Sequence, residues 1–151
     1  MNKKFVPNEI KLTVASDPKW MALVRSVVSK IAARMNFKRG QIKKMVLAVD
    51  EACTNVVRYA YLGNNQKEII VCFRIFDDRL EILIKDFGRK SDPETFKSRD
   101  LKDIKPGGLG IHFINKVMDE VKYDTSLPAG TELCLVKYKK RRMEKSYGSK
   151  D

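Results

Sequence analysis

The chain has 151 residues, 43% of them hydrophobic, which suits one globular domain with a core and is too short for two ordinary domains. No segment approaches the roughly 20 consecutive apolar residues that a membrane span needs. Three widely separated cysteines and a single histidine argue against a zinc site of the usual Cys and His spacing. Free thiols fit a reducing compartment, so we expect a cytoplasmic protein.

The net charge of +12 is partly concentrated at the C-terminal end. Residues 137–151 hold seven Lys or Arg against two acids, so they carry +5. A solvated, flexible terminus is favoured over a binding arm, which divides the chain into a domain over residues 1–138 and a basic tail over residues 139–151. A basic nucleic-acid binder is one interpretation of this charge. However, no zinc-finger, recognition-helix or ribonucleoprotein signature accompanies it, so we expect neither a nucleic acid nor a membrane as partner.

Hydrophobic spacing predicts the first three elements. Apolar residues alternate over Glu9–Ala15, which indicates a strand. Asp17 followed by Pro18 is typical of a helix N-terminus, and apolar residues at helical spacing follow it. A wide apolar stripe then predicts a second helix over residues 39–61, which a Gly-Asn-Asn run at residues 63–65 ends.

The middle of the chain combines a hairpin with a long irregular segment. Residues 68–76 and 79–85 are rich in Ile, Val and Phe and predict two paired strands. The pattern then lapses for about twenty residues, and loops of that length in a compact domain are often functional, so we expect a lid here. Regular spacing resumes in a short helix over residues 111–119.

The last two strands complete the predicted architecture. Residues 121–125 and 131–138 form a second hairpin around a turn at residues 128–130. The element order predicts the α+β class, specifically a two-layer α/β sandwich with helices on one face of a mostly antiparallel mixed sheet.

A polar stripe on the second helix is the first candidate for chemistry. Glu51, Asn55 and Arg58 follow one another at i, i+4 and i+7, so they share one helix face. A carboxylate and a carboxamide one turn apart can present a proton acceptor and a metal ligand to the same molecule. Taken singly, Glu51 would more often be a solvated acid of a helix, and Asn55 a capping or surface residue.

Two glycine-containing segments follow. Asp86 ends a strand, and Gly88 behind it permits close approach of a ligand. Further along the chain, a glycine-rich run precedes a helix, whose free amides and positive dipole end can hold phosphate. This run comprises Gly107, Gly108, Leu109 and Gly110. Each signal is weak alone, and the run fits neither the P-loop nor the dinucleotide fingerprint.

The three motifs in order resemble the N, G1 and G2 boxes of the GHKL superfamily of ATPases, over about residues 10–138. The runs AVDEACTNVVRYAY, KDFGRKSDP and PGGLGIHFI are similar to those of the bacterial anti-sigma factor serine/threonine kinases. The resemblance therefore implies the histidine kinase-like ATPase fold, also called the Bergerat fold, for the domain over residues 1–138.

The resemblance implies a role for each motif residue. Glu51 would be the general base for the incoming hydroxyl, and Asn55 would hold the Mg²⁺ that bridges the phosphates of ATP. Asp86 would bind the adenine amino group. The glycines that would shape the pocket and its lid are Gly88, Gly107, Gly108 and Gly110, with Leu109 in the same run.

Two cationic positions are less clear from the resemblance. Lys105 precedes the glycine-rich run where family members commonly carry arginine, and lysine supplies charge without the bidentate fork. The resemblance implies that Lys105 would bind the phosphates as a single positive charge. Arg58 could meet the phosphates or pair with a surface acid, and both interpretations stay open.

The function that the resemblance implies is that of an anti-sigma factor and ATP-dependent serine/threonine protein kinase. Its substrate would be a STAS-type antagonist, it would sequester a sigma factor, and it would work as a homodimer. The alternative is an ATP-binding regulatory module that gates another protein partner without phosphotransfer.

Overall fold

The computed structural model describes residues 6–90 and 108–140. These residues form three α-helices, one π-helical turn and five strands. In chain order the elements are β1 Glu9–Ala15, α1 Pro18–Arg34, α2 Arg39–Asn55, the π turn Val56–Ala60, β2 Glu68–Ile75, β3 Arg79–Asp86, α3 Gly108–Val117, β4 Glu120–Asp124 and β5 Glu132–Tyr138.

The five strands form one sheet in the order β1-β2-β3-β5-β4. All four pairings are antiparallel, so the α+β prediction is confirmed. The expected mixed character of the sheet is wrong for the described strands, because none of them pairs with a parallel neighbour. The crossover of β4 outside β5 places the end of β3 beside the start of β5, where Asp86 N donates to the Thr131 carbonyl at 3.0 Å.

The helices cover one face of this sheet. Side chains alternate along the central strands, and the inward set is fully buried against the helices. That set includes Ile69, Val71 and Phe73 of β2 together with Ile82 of β3 and Leu135 of β5. Burial of this apolar surface is the main stabilising contribution to the two-layer arrangement.

The first helix begins as predicted but buries a narrower stripe than its sequence indicates. The Asp17 side chain accepts a hydrogen bond from Lys19 N at 3.0 Å, which caps the helix, and Pro18 stands in the first turn. Trp20 and Leu23 are each 44% exposed, because the helix turns its neighbouring apolar residues toward the sheet instead. None of the helices in the described part of the chain is long and apolar enough to cross a membrane.

The second helix differs from the prediction at its C-terminal end. An α-helix over residues 39–61 was expected, but α2 ends at Asn55 and the next five residues form a π turn. Tyr61 N donates to the Val56 carbonyl, five residues back, at 3.0 Å. The wider turn leaves the Ala60 carbonyl to accept Arg89 N at 2.9 Å, a contact between residues distant in sequence.

The other boundaries shift by one to three residues. Helix α3 begins at Gly108 and ends at Val117, rather than spanning 111–119, because Asp119 N already bonds to Val136 of the sheet at 2.9 Å. Strand β3 extends to Asp86, one residue beyond the prediction. Most of the predicted lid, residues 91–107, lies outside the described residues.

Candidate functional site

Two neighbouring acids on α2 have different surroundings. Asp50 pairs with Arg25 of α1, with 2.7 Å between Oδ1 and Nη1, so its carboxylate helps to join the two helices. Glu51 is half-buried and is directed toward α3 instead. The structure therefore distinguishes the acid that faces a possible ligand from the one that is already paired.

Glu51 and Asn55 converge on Gly110. A Cβ atom at Gly110 would lie 2.5 Å from Oε2 of Glu51 and 3.8 Å from Nδ2 of Asn55. The first of these distances is shorter than real Cβ contacts, so the missing side chain is what allows the first turn of α3 to approach the two polar groups. Glu51 and Asn55, which the sequence predicts on one face of the helix, thus lie beside the same glycine.

The N-terminal turn of α3 supplies backbone donors to this location. Gly108 begins the helix, and the first N–H groups of any α-helix lack partners within the helix. Leu109 is 60% exposed, so the turn lies at the surface. A helix N-terminus beside a carboxylate and a carboxamide can bind a phosphate group together with its metal ion. Lys105 and Gly107, the other two predicted members of this run, lie outside the described residues.

Asp86 forms the second part of the site. It is only 4% exposed, and its Oδ1 accepts a hydrogen bond from Gly88 N at 3.0 Å. Burial raises the pKa of Asp86 above its ordinary value, while hydrogen bonds from the backbone amides of Gly88 and Thr131 act in the opposite direction. A buried carboxyl group at the end of a strand can accept a hydrogen bond from an amine on a ligand.

Thr131 is a candidate site residue that the sequence did not reveal. Its Oγ1 is buried and has no hydrogen-bond partner in the described part of the structure, and an unsatisfied buried hydroxyl is costly. The neighbouring Gly130 has φ +75°, and any Cβ there would overlap the carbonyl of Asp86. A threonine directly after a turn glycine was the only signal in the sequence. The structure shows that this turn brings Thr131 beside Asp86.

Gly88 connects Asp86 to the π turn. A Cβ at Gly88 would overlap the backbone carbonyl of Ala60, so a glycine is required by close packing. The π turn lies between the two parts of the site: Asn55 directly precedes it and Ala60 ends it. Arg58 is exposed on the same turn, and no ion pair joins it to another described residue.

The metal that would suit this site is a hard cation with few protein ligands. Among the described residues no three His, Cys, Asp or Glu side chains cluster as a cage. Mg²⁺ commonly uses one or two protein oxygens and completes its shell with water and phosphate, which matches a single carboxamide beside a helix N-terminus. Burial raises the pKa of Cys53 to about 12, so this nearby thiol on α2 stays protonated and packs in the core.

The chain matches one protein family and is similar to several curated proteins. Residues 14–137 match the family described as Histidine kinase-like ATPase domain. A protein named Serine-protein kinase RsbW from Bacillus velezensis is 34% identical over 138 residues, covering 85% of this chain and 84% of that protein. Proteins with the same name from Halalkalibacterium halodurans (34% identical, 89% and 86% covered) and Staphylococcus epidermidis (32% identical, 93% of each chain) are also similar.

A solved structure shares the fold. The RsbU and RsbW domains of Rv1364c from Mycobacterium tuberculosis align with a TM-score of 0.64 and 16% identity. The alignment covers 88% of this chain and spans about a third, 33%, of that longer chain. The family match and the curated relatives, which align with most of the chain, show that it belongs to the histidine kinase-like ATPases of the GHKL superfamily. Within that superfamily it belongs to the bacterial anti-sigma factor serine/threonine kinases, and the solved structure agrees with this fold.

Proposed function

We propose that this chain is an ATP- and Mg²⁺-dependent serine/threonine protein kinase that phosphorylates a STAS-type antagonist and, when not engaged with it, sequesters a sigma factor. The observation that carries the proposal is the convergence of Glu51 and Asn55 on Gly110 at the start of α3. A carboxylate that would accept a proton and a carboxamide that would hold a metal ion lie beside a helix N-terminus, and this arrangement supports the proposal. The relatives named serine-protein kinases support the same activity.

The adenine end of ATP would bind at Asp86. Its buried carboxylate would accept a hydrogen bond from the 6-amino group, and the unpaired Thr131 hydroxyl would bond directly, or through water, to a neighbouring ring nitrogen. Gly88 lets the backbone after the strand end pack against Ala60, and its amide donates to the Asp86 carboxylate. The fit rests on a buried acceptor at the end of β3 and, directly before β5, a hydroxyl with no partner among the described residues; together they complement an aminopurine edge.

The phosphates would lie along the first turn of α3. Backbone N–H groups that follow Gly108 would donate to them, and Gly110 would keep the path clear of a side chain. Asn55 would hold Mg²⁺, which when bound neutralises charge on the phosphate oxygens and orients them. Leu109 lies in this turn, and Lys105 and Gly107, which precede it in the sequence, would also contact the phosphates.

Glu51 would act as the general base. The hydroxyl oxygen of the substrate Ser or Thr attacks the γ-phosphorus, its proton passes to the Glu51 carboxylate, and the bond to the bridging oxygen of ADP breaks. Asp50 cannot replace Glu51 without breaking its ion pair with Arg25. The substrate leaves as a phosphoprotein, and its added charge would weaken the complex and free the kinase to bind a sigma factor.

Membership of the family supports a regulatory setting for this kinase. We propose that residues 1–138 form the ATPase domain, that residues 139–151 form a basic tail, and that the kinase works as a cytoplasmic homodimer. The rival function is a nucleotide-gated binding module that keeps the ATP site without transferring phosphate.

Transfer of label from γ-labelled ATP to a purified STAS antagonist separates the two functions. A kinase gives a phosphoserine or phosphothreonine whose formation requires Mg²⁺ and stops with a chelator. If the chain binds ATP tightly but labels no antagonist, the module is correct and the kinase assignment is not. An antagonist with its acceptor Ser or Thr changed to Ala is the matched control.

A further inference from the structure

Tyr61 occupies a position that the proposed chemistry does not yet use. It follows the π turn directly and is 8% exposed, although tyrosine usually keeps its hydroxyl near water. The hydroxyl group is therefore buried at the junction of the helical layer and the sheet, where it requires hydrogen-bond partners.

The Tyr61 hydroxyl joins the ends of two strands. It accepts a hydrogen bond from Phe87 N at 2.8 Å and donates one to the carbonyl of Glu68. Glu68 begins β2, whereas Phe87 is the first residue after β3, and the sheet register pairs the next residue of β2, Ile69, with Asp86. A single hydroxyl thus holds the backbone immediately beside Asp86.

Three successive residues after Asp86 are held by residues 60 and 61. Phe87 N bonds to the Tyr61 hydroxyl, Gly88 packs against the Ala60 backbone, and Arg89 N donates to the Ala60 carbonyl at 2.9 Å. Gly88 N in turn donates to Oδ1 of Asp86 at 3.0 Å. The orientation of the Asp86 carboxylate therefore depends on contacts with the end of the π turn.

The surroundings of Tyr61 disfavour loss of its phenolic proton. Burial raises the pKa of Tyr61, the hydrogen bond from Phe87 lowers it, and the negative charge of Asp86 raises it. Tyr61 remains a neutral phenol at physiological pH, so it can serve both as a donor and as an acceptor.

We propose that Tyr61 is a positioning residue for the adenine subsite, which fixes the backbone of residues 87–89 so that Asp86 presents its carboxylate to the 6-amino group of the base. The hydroxyl acts through Asp86 and does not touch the nucleotide. Tyr61 would therefore determine selectivity for adenine rather than binding of the phosphates. This inference rests on the proposed function, because it assumes that ATP binds with adenine at Asp86.

The test compares two nucleotides in Tyr61→Phe, which removes the hydroxyl and keeps the ring. One is ATP and the other is purine riboside triphosphate, which lacks the 6-amino group, and dissociation constants are measured by calorimetry. Tyr59→Phe is the matched control, since Tyr59 lies on the same turn and is 38% exposed. A thermal unfolding curve for each variant monitors the fold.

We expect Tyr61→Phe to raise the dissociation constant of ATP about tenfold, which is the size of effect that a lost buried hydrogen bond produces. The dissociation constant of purine riboside triphosphate should change less than about twofold. The turnover number at saturating ATP stays near that of the wild type. Tyr59→Phe binds both nucleotides like the wild type.

Two results would overturn the inference. If Tyr61→Phe weakens the binding of both nucleotides equally, the hydroxyl has only a general structural role. If the binding of neither nucleotide is weakened, the hydroxyl does not position Asp86. Failure of the proposed function is a different result, because the wild type would then bind ATP no better than purine riboside triphosphate.

Discussion

Substitution of Gly110 by alanine separates the geometry of the proposed base from the stability of the fold. The added methyl group would lie 2.5 Å from Oε2 of Glu51, which is about 0.9 Å short of ordinary contact at 3.4 Å. The nearest group is the far end of a flexible side chain, so we expect the Glu51 carboxylate to move while the backbone stays in place. Asn55 Nδ2, at 3.8 Å, already accommodates a methyl group.

The expected effects on rate and stability have opposite signs. A displacement of about 1 Å at a reacting group can cost about 100-fold in rate, so kcat for phosphotransfer should fall by that order. Alanine is favoured over glycine in a helix by up to about 1 kcal/mol, which for a domain of this size raises the Tm by about 4 °C at most. Affinity for ATP should change much less than kcat, because Asn55 is not displaced.

The assay measures initial rates of label transfer to the antagonist, the dissociation constant of ATP and the Tm by calorimetry. Gly40→Ala is the matched control, because Gly40 lies in the first turn of α2 and a Cβ there meets no atom within 4 Å. It should keep both rate and affinity. A Gly110→Ala enzyme with wild-type kcat would refute the placement of Glu51, and a large fall in Tm would refute the claim that only a side chain moves.

Three further predictions concern the adenine subsite and the tail. Burial raises the pKa of Asp86, so its carboxylate gains a proton at a higher pH than ordinary aspartate does. The affinity for ATP should therefore weaken on acidification before pH 3.8 is reached. Calorimetry across pH should show that Asp86→Asn binds ATP weakly and lacks this pH dependence. Thr131→Val removes a buried hydroxyl that has no partner among the described residues. The free energy of unfolding should therefore stay unchanged or rise by about 1 kcal/mol, while the affinity for ATP falls. A denaturant melt that shows marked destabilisation would contradict this. A chain that ends at Lys140 should keep phosphotransfer within about twofold if the basic tail is a solvated appendage, and a tenfold loss in the same transfer assay would make the tail a docking arm.

Local sequence signals were sufficient for most elements of the fold. The Asp17 and Pro18 pair marked the start of α1. Alternation marked β1, and enrichment in Ile, Val and Phe marked β2 and β3, because residues of these types pack well on a half-buried sheet. The i, i+4 spacing likewise placed Glu51 and Asn55 on one face. These features depend on neighbours within a few residues, which a single sequence contains.

The features that the sequence missed depend on contacts between distant segments. The stretch of residues 56–60 has an ordinary helical pattern, and it forms a π turn in a structure where the Ala60 carbonyl bonds to Arg89, 29 residues later. Thr131 looked like the first residue of a strand and became a site candidate only when the sheet placed it beside Asp86. The separation of Asp50 from Glu51 required knowledge of Arg25 on another helix.

The central claim is that Glu51 takes the proton from the substrate hydroxyl, and single-turnover phosphotransfer by Glu51→Gln tests it most directly. Glutamine keeps the size of the side chain and removes its basicity, so we predict ATP affinity within about threefold of the wild type and a transfer rate lower by about 100-fold to 10,000-fold. Asp77 is an exposed acid between β2 and β3, so Asp77→Asn is the matched control and should transfer phosphate at the wild-type rate. Transfer by Glu51→Gln at the wild-type rate would contradict the account.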